Sequence, residues 1–202
     1  MASATQLIRE TLQKEFSGEK DGFFDYKAIH KERLIGFRKE KLAVVRVEKP
    51  TNLPRARGLG YKAKKGIILA RVRVRKGSGA HKRPRKGRKP KRMGVNKLTR
   101  RINIQAIAEQ RASRKFPNLG VLNSYWVGED GGNKYFEVIL VDSSAPEILA
   151  DRQLGWIAET THRGRAERGK TSAGKKHRAL RGKGKGYEKS RPSLRAHDRT
   201  AK

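Results

Sequence analysis

Apolar residues recur through the first forty positions at helical intervals: Ile8, Leu12 and Phe16 in one stretch, then Tyr26, Ile29 or His30, Arg33 or Leu34, and Phe37. This spacing predicts two short helices, broken near Ser17-Gly18 and Gly22. Leu42 to Val47 is a short β-branched run and predicts a strand. From Ile67 to Arg75 the pattern switches to a period of two, with Ile68, Ala70, Val72 and Val74 on one side and Arg71, Arg73 and Arg75 on the other. One face should pack on a core while the other presents a row of guanidinium groups. A helix is predicted from Val95 to Phe116, with Leu98, Ile102, Ala106, Ala112 and Phe116 along one arc. Lys97, Arg100, Arg111, Arg114 and Lys115 gather roughly opposite, whereas Ile107 breaks the pattern and Arg101 and Glu109 fall on the apolar side. Val121–Val127 and Tyr135–Val141 are strand-like and flank a Gly-rich turn, a hairpin signal. Tyr125, Trp126, Tyr135 and Phe136 are the densest aromatic group; alternate members should be hairpin core, and an exposed one could stack on a nucleobase. The order strand, strand, helix, strand, strand predicts an α+β fold, a small and mostly antiparallel sheet packed with helices.

Charge changes the picture. The 202 residues include 51 Lys and Arg against 19 Asp and Glu, a formal net charge of +32, and only 35% are hydrophobic. Residues 1–48 hold ten basic and eight acidic residues; 49–108 hold 21 basic and no acidic ones. Residues 109–159 reverse the sign, five against eight, and 160–202 return to 15 against three. Surfaces tuned for solubility interleave both signs, so blocks of one sign point elsewhere. Like charges held this close oppose collapse unless a polyanion is near, and nucleic acid is the usual one. Residues 76–92 contain nine Lys or Arg, three Gly, two Pro and no large apolar side chain, so this loop has nothing to bury and should order only on a partner. After Thr160 the large aliphatics are Leu180 and Leu194, and glycines alternate with cations, as suits close approach to phosphate. The expected organisation is a nucleic-acid-binding body over residues 1–159, carrying the basic loop 76–92, and a basic extension over 160–202; the resemblance given below makes that nucleic acid RNA.

Catalysis finds little support. The chain has no cysteine, which removes disulfides and thiolate metal sites and suits a reducing compartment; residues 1–20 lack a signal-peptide core and no apolar run approaches bilayer length. A cytoplasmic location is therefore expected. Gly164-Arg-Ala-Glu-Arg-Gly-Lys170-Thr171 satisfies a phosphate-binding-loop pattern, and Val138–Asp142 resembles a strand ending in a magnesium-binding Asp. A working loop of that kind lies between a buried strand and a packed helix. Here neither the preceding Glu159–Arg163 nor the following Ser172–His177 offers a sufficient apolar face, and the Asp-bearing strand precedes the loop. His30, His81, His162, His177 and His197 show no metal-ligand spacing, and no carboxylate pair lies in an apolar setting. No enzyme, cofactor, metal, membrane or small-molecule substrate is implied. Two rivals stay open: a DNA-compacting chromatin protein, and a nucleotide-dependent RNA-remodelling protein that depends on Lys170.

Several blocks are recognisable. Arg57-Gly-Leu-Gly-Tyr-Lys-Ala-Lys-Lys-Gly66, Ala70-Arg-Val-Arg-Val-Arg-Lys-Gly77, Gly94-Val-Asn, Ile107-Ala-Glu-Gln-Arg-Ala-Ser-Arg114, Val121-Leu-Asn-Ser-Tyr-Trp-Val-Gly128, Phe136-Glu-Val-Ile-Leu-Val-Asp142 and Thr171-Ser-Ala-Gly-Lys-Lys carry the resemblance. Over roughly residues 50 to 195 the chain resembles the large-subunit ribosomal protein family numbered fifteen in the eukaryotic series, and its ending resembles archaeal members. The N-terminal 45 residues match only in helical character. The resemblance implies a structural component of the large subunit whose partners are large-subunit ribosomal RNA and neighbouring ribosomal proteins. Carried over by position, its RNA-binding residues would be Arg57, Lys62, Lys64 and Lys65, with Tyr61 beside them, and Arg71, Arg73 and Arg75 on the strand, with Lys76 opening the loop after it. Lys82, Arg83, Arg85, Lys86, Arg88, Lys89, Lys91 and Arg92 would follow in the loop, and Arg100, Arg111 and Arg114 in the helical stretch. Arg163, Arg165, Lys170, Lys175, Lys176, Arg178, Arg181, Lys183, Lys185, Lys189, Arg191 and Arg195 would complete the set.

Overall fold

Local chemistry starts the chain cleanly in a computed structural model that describes residues 3–79, 81–96 and 98–182. Helix α1 (Ala4–Ser17) opens on a capping box: the Ser3 hydroxyl accepts from the Gln6 N–H, and the Gln6 side chain accepts from the Ser3 N–H at 2.8 Å. Gly18, at φ +73°, ends it in the left-handed region. A two-residue antiparallel pair, β1 (Lys20–Asp21) and β2 (Phe24–Asp25), leads into α2 (Tyr26–Lys39), where Asp25 accepts from the Ala28 N–H at 3.0 Å. These are the two expected helices, joined by a small hairpin.

The main sheet is antiparallel, in the order β3–β4–β6–β5: β3 (Val44–Val47), β4 (Ile67–Arg75), β6 (Asn133–Asp142) and β5 (Leu119–Glu129). The predicted hairpin is β5–β6, and the bounds of β4 are those its alternation predicted. Short helices α3 (Leu53–Gly58) and α5 (Pro146–Leu149) fill one side, while α4 (Ile104–Lys115) crosses the other. Single turns of 3-10 helix at Pro90–Arg92, Gly155–Ala158 and Thr160–His162, and a last helix α6 (Ser172–His177), complete the described chain. The mixed α+β fold and the antiparallel sheet are as expected.

The sheet separates two cores. Ala70, Val72 and Val74 of β4 join Ala108 and Ala112 of α4, Phe136, Val138 and Leu140. On the reverse face Ile67 and Leu69 join Phe37, Tyr125, Tyr135, Ile139, Val141 and Ile148. Each large side chain so buried contributes about 1.5–3 kcal/mol. The expectation that one face of β4 lies open with a row of arginines is corrected: that face is covered at Ile67 and Leu69 and partly at Arg71 and Arg73, and only Arg75 at its end is exposed. The signal was in β6, where Tyr135–Val141 is apolar at every position but Glu137 and buried throughout, the near-continuous run of a strand enclosed on both sides. Entry into β4 needs Gly66, at φ +80°, because a Cβ there would come within 2.9 Å of Ala145 Cβ and Ile148 Cγ1.

Two further expectations change. Helix α4 begins at Ile104 rather than Val95, because Asn103 caps it by accepting from the Ala106 N–H at 2.6 Å. Arg100, just upstream, is tied to the carbonyls of Gly77 (2.6 Å) and Arg75 (2.8 Å), which holds its segment beside the end of β4. The stretch after Thr160, expected to project from the body, packs against α4 as far as α6 by means of small and polar residues: Ala166, Thr171, Ala173 and Gly174 are all buried.

Candidate nucleic-acid interface

The cations fall into two groups according to what surrounds them. Lys82, Arg83, Arg85, Lys86, Arg88, Lys89, Lys91 and Arg92 are all exposed, and none forms a salt bridge among the described residues. Arg57, Lys65, Arg75, Arg163, Lys175, Lys176 and Arg181 share that condition. Basic side chains facing water without a carboxylate are free to neutralise phosphate, and the alternation of Arg and Lys allows both forked and point-charge contacts.

The second group is engaged within the protein. The Arg71 guanidinium lies 3.9 Å over the Phe37 ring and reaches Glu40 at 2.6 Å and Glu137 at 3.4 Å. Glu137 is fully buried in β6 and also accepts from the Tyr125 hydroxyl and from Thr51. Burial, then the Glu137 carboxylate, push the Tyr125 phenol far above its ordinary range. Lys64 and Lys62 both reach Asp151, at 2.5 and 3.0 Å, and hold its carboxyl well below the usual carboxylate range. They pin the loop before β4 to the residues after α5, with half-buried Tyr61 against the same core.

Arg165 is 9% exposed, stacked 4.4 Å over Trp156 and next to His162 Nδ1 at 3.3 Å. Lys76 pairs with Glu129 at 3.0 Å and Arg114 with Glu167 at 2.9 Å. Arg73, Arg111, Arg178 and Lys170 each donate to a backbone carbonyl, as Arg100 does. Lys183, Lys185, Lys189, Arg191 and Arg195 lie outside the described residues, as does Lys97.

The apparent phosphate-binding loop is closed. No strand precedes Gly164; a 3-10 turn does. A packed helix does follow, contrary to the sequence expectation, because Ala173 and Gly174 fit where a longer side chain could not. Lys170 Nζ donates to the Thr161 carbonyl at 2.7 Å, and the Thr171 hydroxyl donates to buried Glu109. A Cβ on Gly174 would lie 2.5 Å from Gly169 Cα, so the loop lies directly on the helix, with no room between them for a phosphate.

Sequence reasoning missed the internal role of the carboxylates. Glu109, placed by periodicity on the apolar side of its helix, is fully buried and accepts from the hydroxyls of Ser124 (2.6 Å) and Thr171 (2.5 Å). That misfit with the helical pattern was the available signal. Arg101, which periodicity also placed on the apolar side, is exposed because the helix begins after it. Of the four hairpin aromatics, Tyr125, Tyr135 and Phe136 are buried and Trp126 is 40% exposed.

Comparison with known proteins adds a third line to composition and geometry. The Ribosomal L15 family model matches residues 4–197, so the similarity extends through the N-terminal helices as well. The large ribosomal subunit protein eL15 of Methanocella arvoryzae is 60% identical over 171 residues, covering 85% of this chain and 87% of its own length. That of Methanospirillum hungatei is 54% identical over 176 residues, 87% of this chain and 89% of its own.

Proposed function

This chain belongs to the Ribosomal L15 family, and from that premise we propose that it is a structural constituent of the large ribosomal subunit, binding large-subunit ribosomal RNA beside neighbouring ribosomal proteins. Its relatives are named as ribosomal proteins, not enzymes, and the closed loop at Lys170 agrees with a role free of nucleotide chemistry. Among the described residues no helix is long and apolar enough to cross a membrane; the family supports a place on the ribosome, which this reading puts in the cytoplasm.

The observation that carries the RNA reading is the run of eight exposed, carboxylate-free cations between Lys82 and Arg92. In this reading the loop neutralises phosphates where RNA segments approach one another, and the cations before β4, on α6 and in the extension beyond it widen the contact. Arg71, Lys62, Lys64 and Arg165 serve mainly to build the protein surface on which the free cations sit. Affinity for large-subunit RNA should fall steeply with salt, with a log–log slope of several units, since each neutralised phosphate contributes about −0.7 to −0.9. Replacing the eight loop cations by Gln should make that slope shallower by several units. A wild-type slope near −1 would refute the proposal. Equal affinity for duplex DNA and folded RNA would instead favour a chromatin protein.

A further inference from the structure

The most exposed large apolar side chain described lies outside the basic loop, in the β1–β2 turn. Phe23 is 99% exposed at the corner of the β1–β2 turn, and Phe24 beside it is 60% exposed. Turn corners favour Gly, Asn, Asp, Ser and Pro, so Phe23 at this one has no local conformational reason. The two-residue strands pair Lys20 with Asp25 and Asp21 with Phe24. Gly18 closes α1 on one side, and the Asp25 carboxylate caps α2 on the other. The Phe24 ring lies 6.2 Å from that of Tyr26, giving the tip an aromatic base.

The electrostatics of this tip differ from those of the cationic blocks. Residues 19–27 hold three acidic and two basic side chains. Lys20 pairs with Asp25 at 3.4 Å, and Lys14 with Asp21 at 3.3 Å. Lys27 is the one cation of this stretch that is exposed without a salt bridge among the described residues, and three acidic side chains outweigh it, so the tip offers phosphate little attraction. Buried aromatic anchors within a polar rim are characteristic of contacts between proteins.

We propose that Phe23 and Phe24 form a docking knob that inserts into an apolar recess on a neighbouring protein of the large subunit, one with a neutral to basic rim. This rests on the ribosomal reading above and divides the molecule by partner: the N-terminal hairpin engages protein, and the loop from Lys82 to Arg92 engages RNA.

The test places the photo-crosslinking residue p-benzoylphenylalanine at position 23, and separately at position 88, in the full chain expressed in cells. Purified large subunits are irradiated and divided between ribonuclease and buffer. Position 23 should give an adduct heavier by the mass of a second protein and unchanged by ribonuclease, and position 88 an adduct that ribonuclease collapses. Because Phe23 is fully exposed, the substitution leaves the fold intact. An RNA adduct, a crosslink within the chain, or no adduct from position 23 would overturn the knob while position 88 still reported RNA. Absence of the chain from large subunits would overturn the ribosomal reading and the knob together.

Discussion

Glu109 illustrates how much a single buried carboxylate can hold. No salt bridge to it occurs among the described residues; its partners are two hydroxyls, one from β5 and one from the residue that caps α6. Burial raises its pKa above the ordinary carboxylate value, against the opposing effect of those hydrogen bonds. Between the unfolded and folded pKa values the folded state therefore binds more protons. The favourable contribution is full below the unfolded value and is lost as pH rises through the folded one. Glu109→Gln should flatten that part of the stability–pH profile. Glu109→Ala should cost about 2–4 kcal/mol, because it opens a cavity and leaves both buried hydroxyls without the acceptor for their protons. Urea unfolding reads both effects, and a loss below about 0.5 kcal/mol in the Ala variant would mean that the site relaxes around the gap.

Helices and strands were legible in the sequence where side chains alternate by size and polarity. The bounds of β4 and the two N-terminal helices follow from periodicity, and the β5–β6 hairpin from two strand-like runs around a Gly-rich turn. Helix α6 was not legible, because it docks through Ala173 and Gly174, and close backbone approach leaves no mark in an apolar pattern. The start of α4 was misread for a related reason: Leu98 and Ile102 fit the helical period, yet the Asn103 cap decides the boundary. Gly174→Ala tests how α6 is held. Its new Cβ would meet Gly169 Cα, C and O at 2.5–2.8 Å, all backbone atoms that cannot rotate away. Trypsin should then cut within residues 163–178 at least tenfold faster, while amide protection of the main sheet stays unchanged. Equal cleavage of both proteins would show that the segment shifts to admit the methyl group.

The distribution of charge made the partner legible before any geometry, because only a polyanion offsets blocks with 21 cations and no carboxylate. Which cations stay free was not legible. Arg71 and Arg75 read alike in the alternation, yet one stacks on Phe37 between two glutamates and the other is exposed. Contacts far apart in sequence, such as Arg71 with Glu137 and Lys64 with Asp151, decide it, and no local pattern encodes them.

The pairing of β4 with the β5–β6 hairpin also governs how fast the chain can fold. The strand must find its partner across residues 76–118, which hold fifteen Lys and Arg and one acidic residue. Closing that loop carries the usual entropic cost and, in addition, confines mutually repelling charges. Screening lowers only the second term. Stopped-flow refolding of the isolated protein should therefore accelerate as salt rises from about 0.05 to 0.5 M, a range over which the Debye length shrinks about threefold. The ions that weaken its grip on RNA would thus hasten the assembly of the sheet, and a chain making its way to its site would reach native form sooner once a polyanion had gathered that loop.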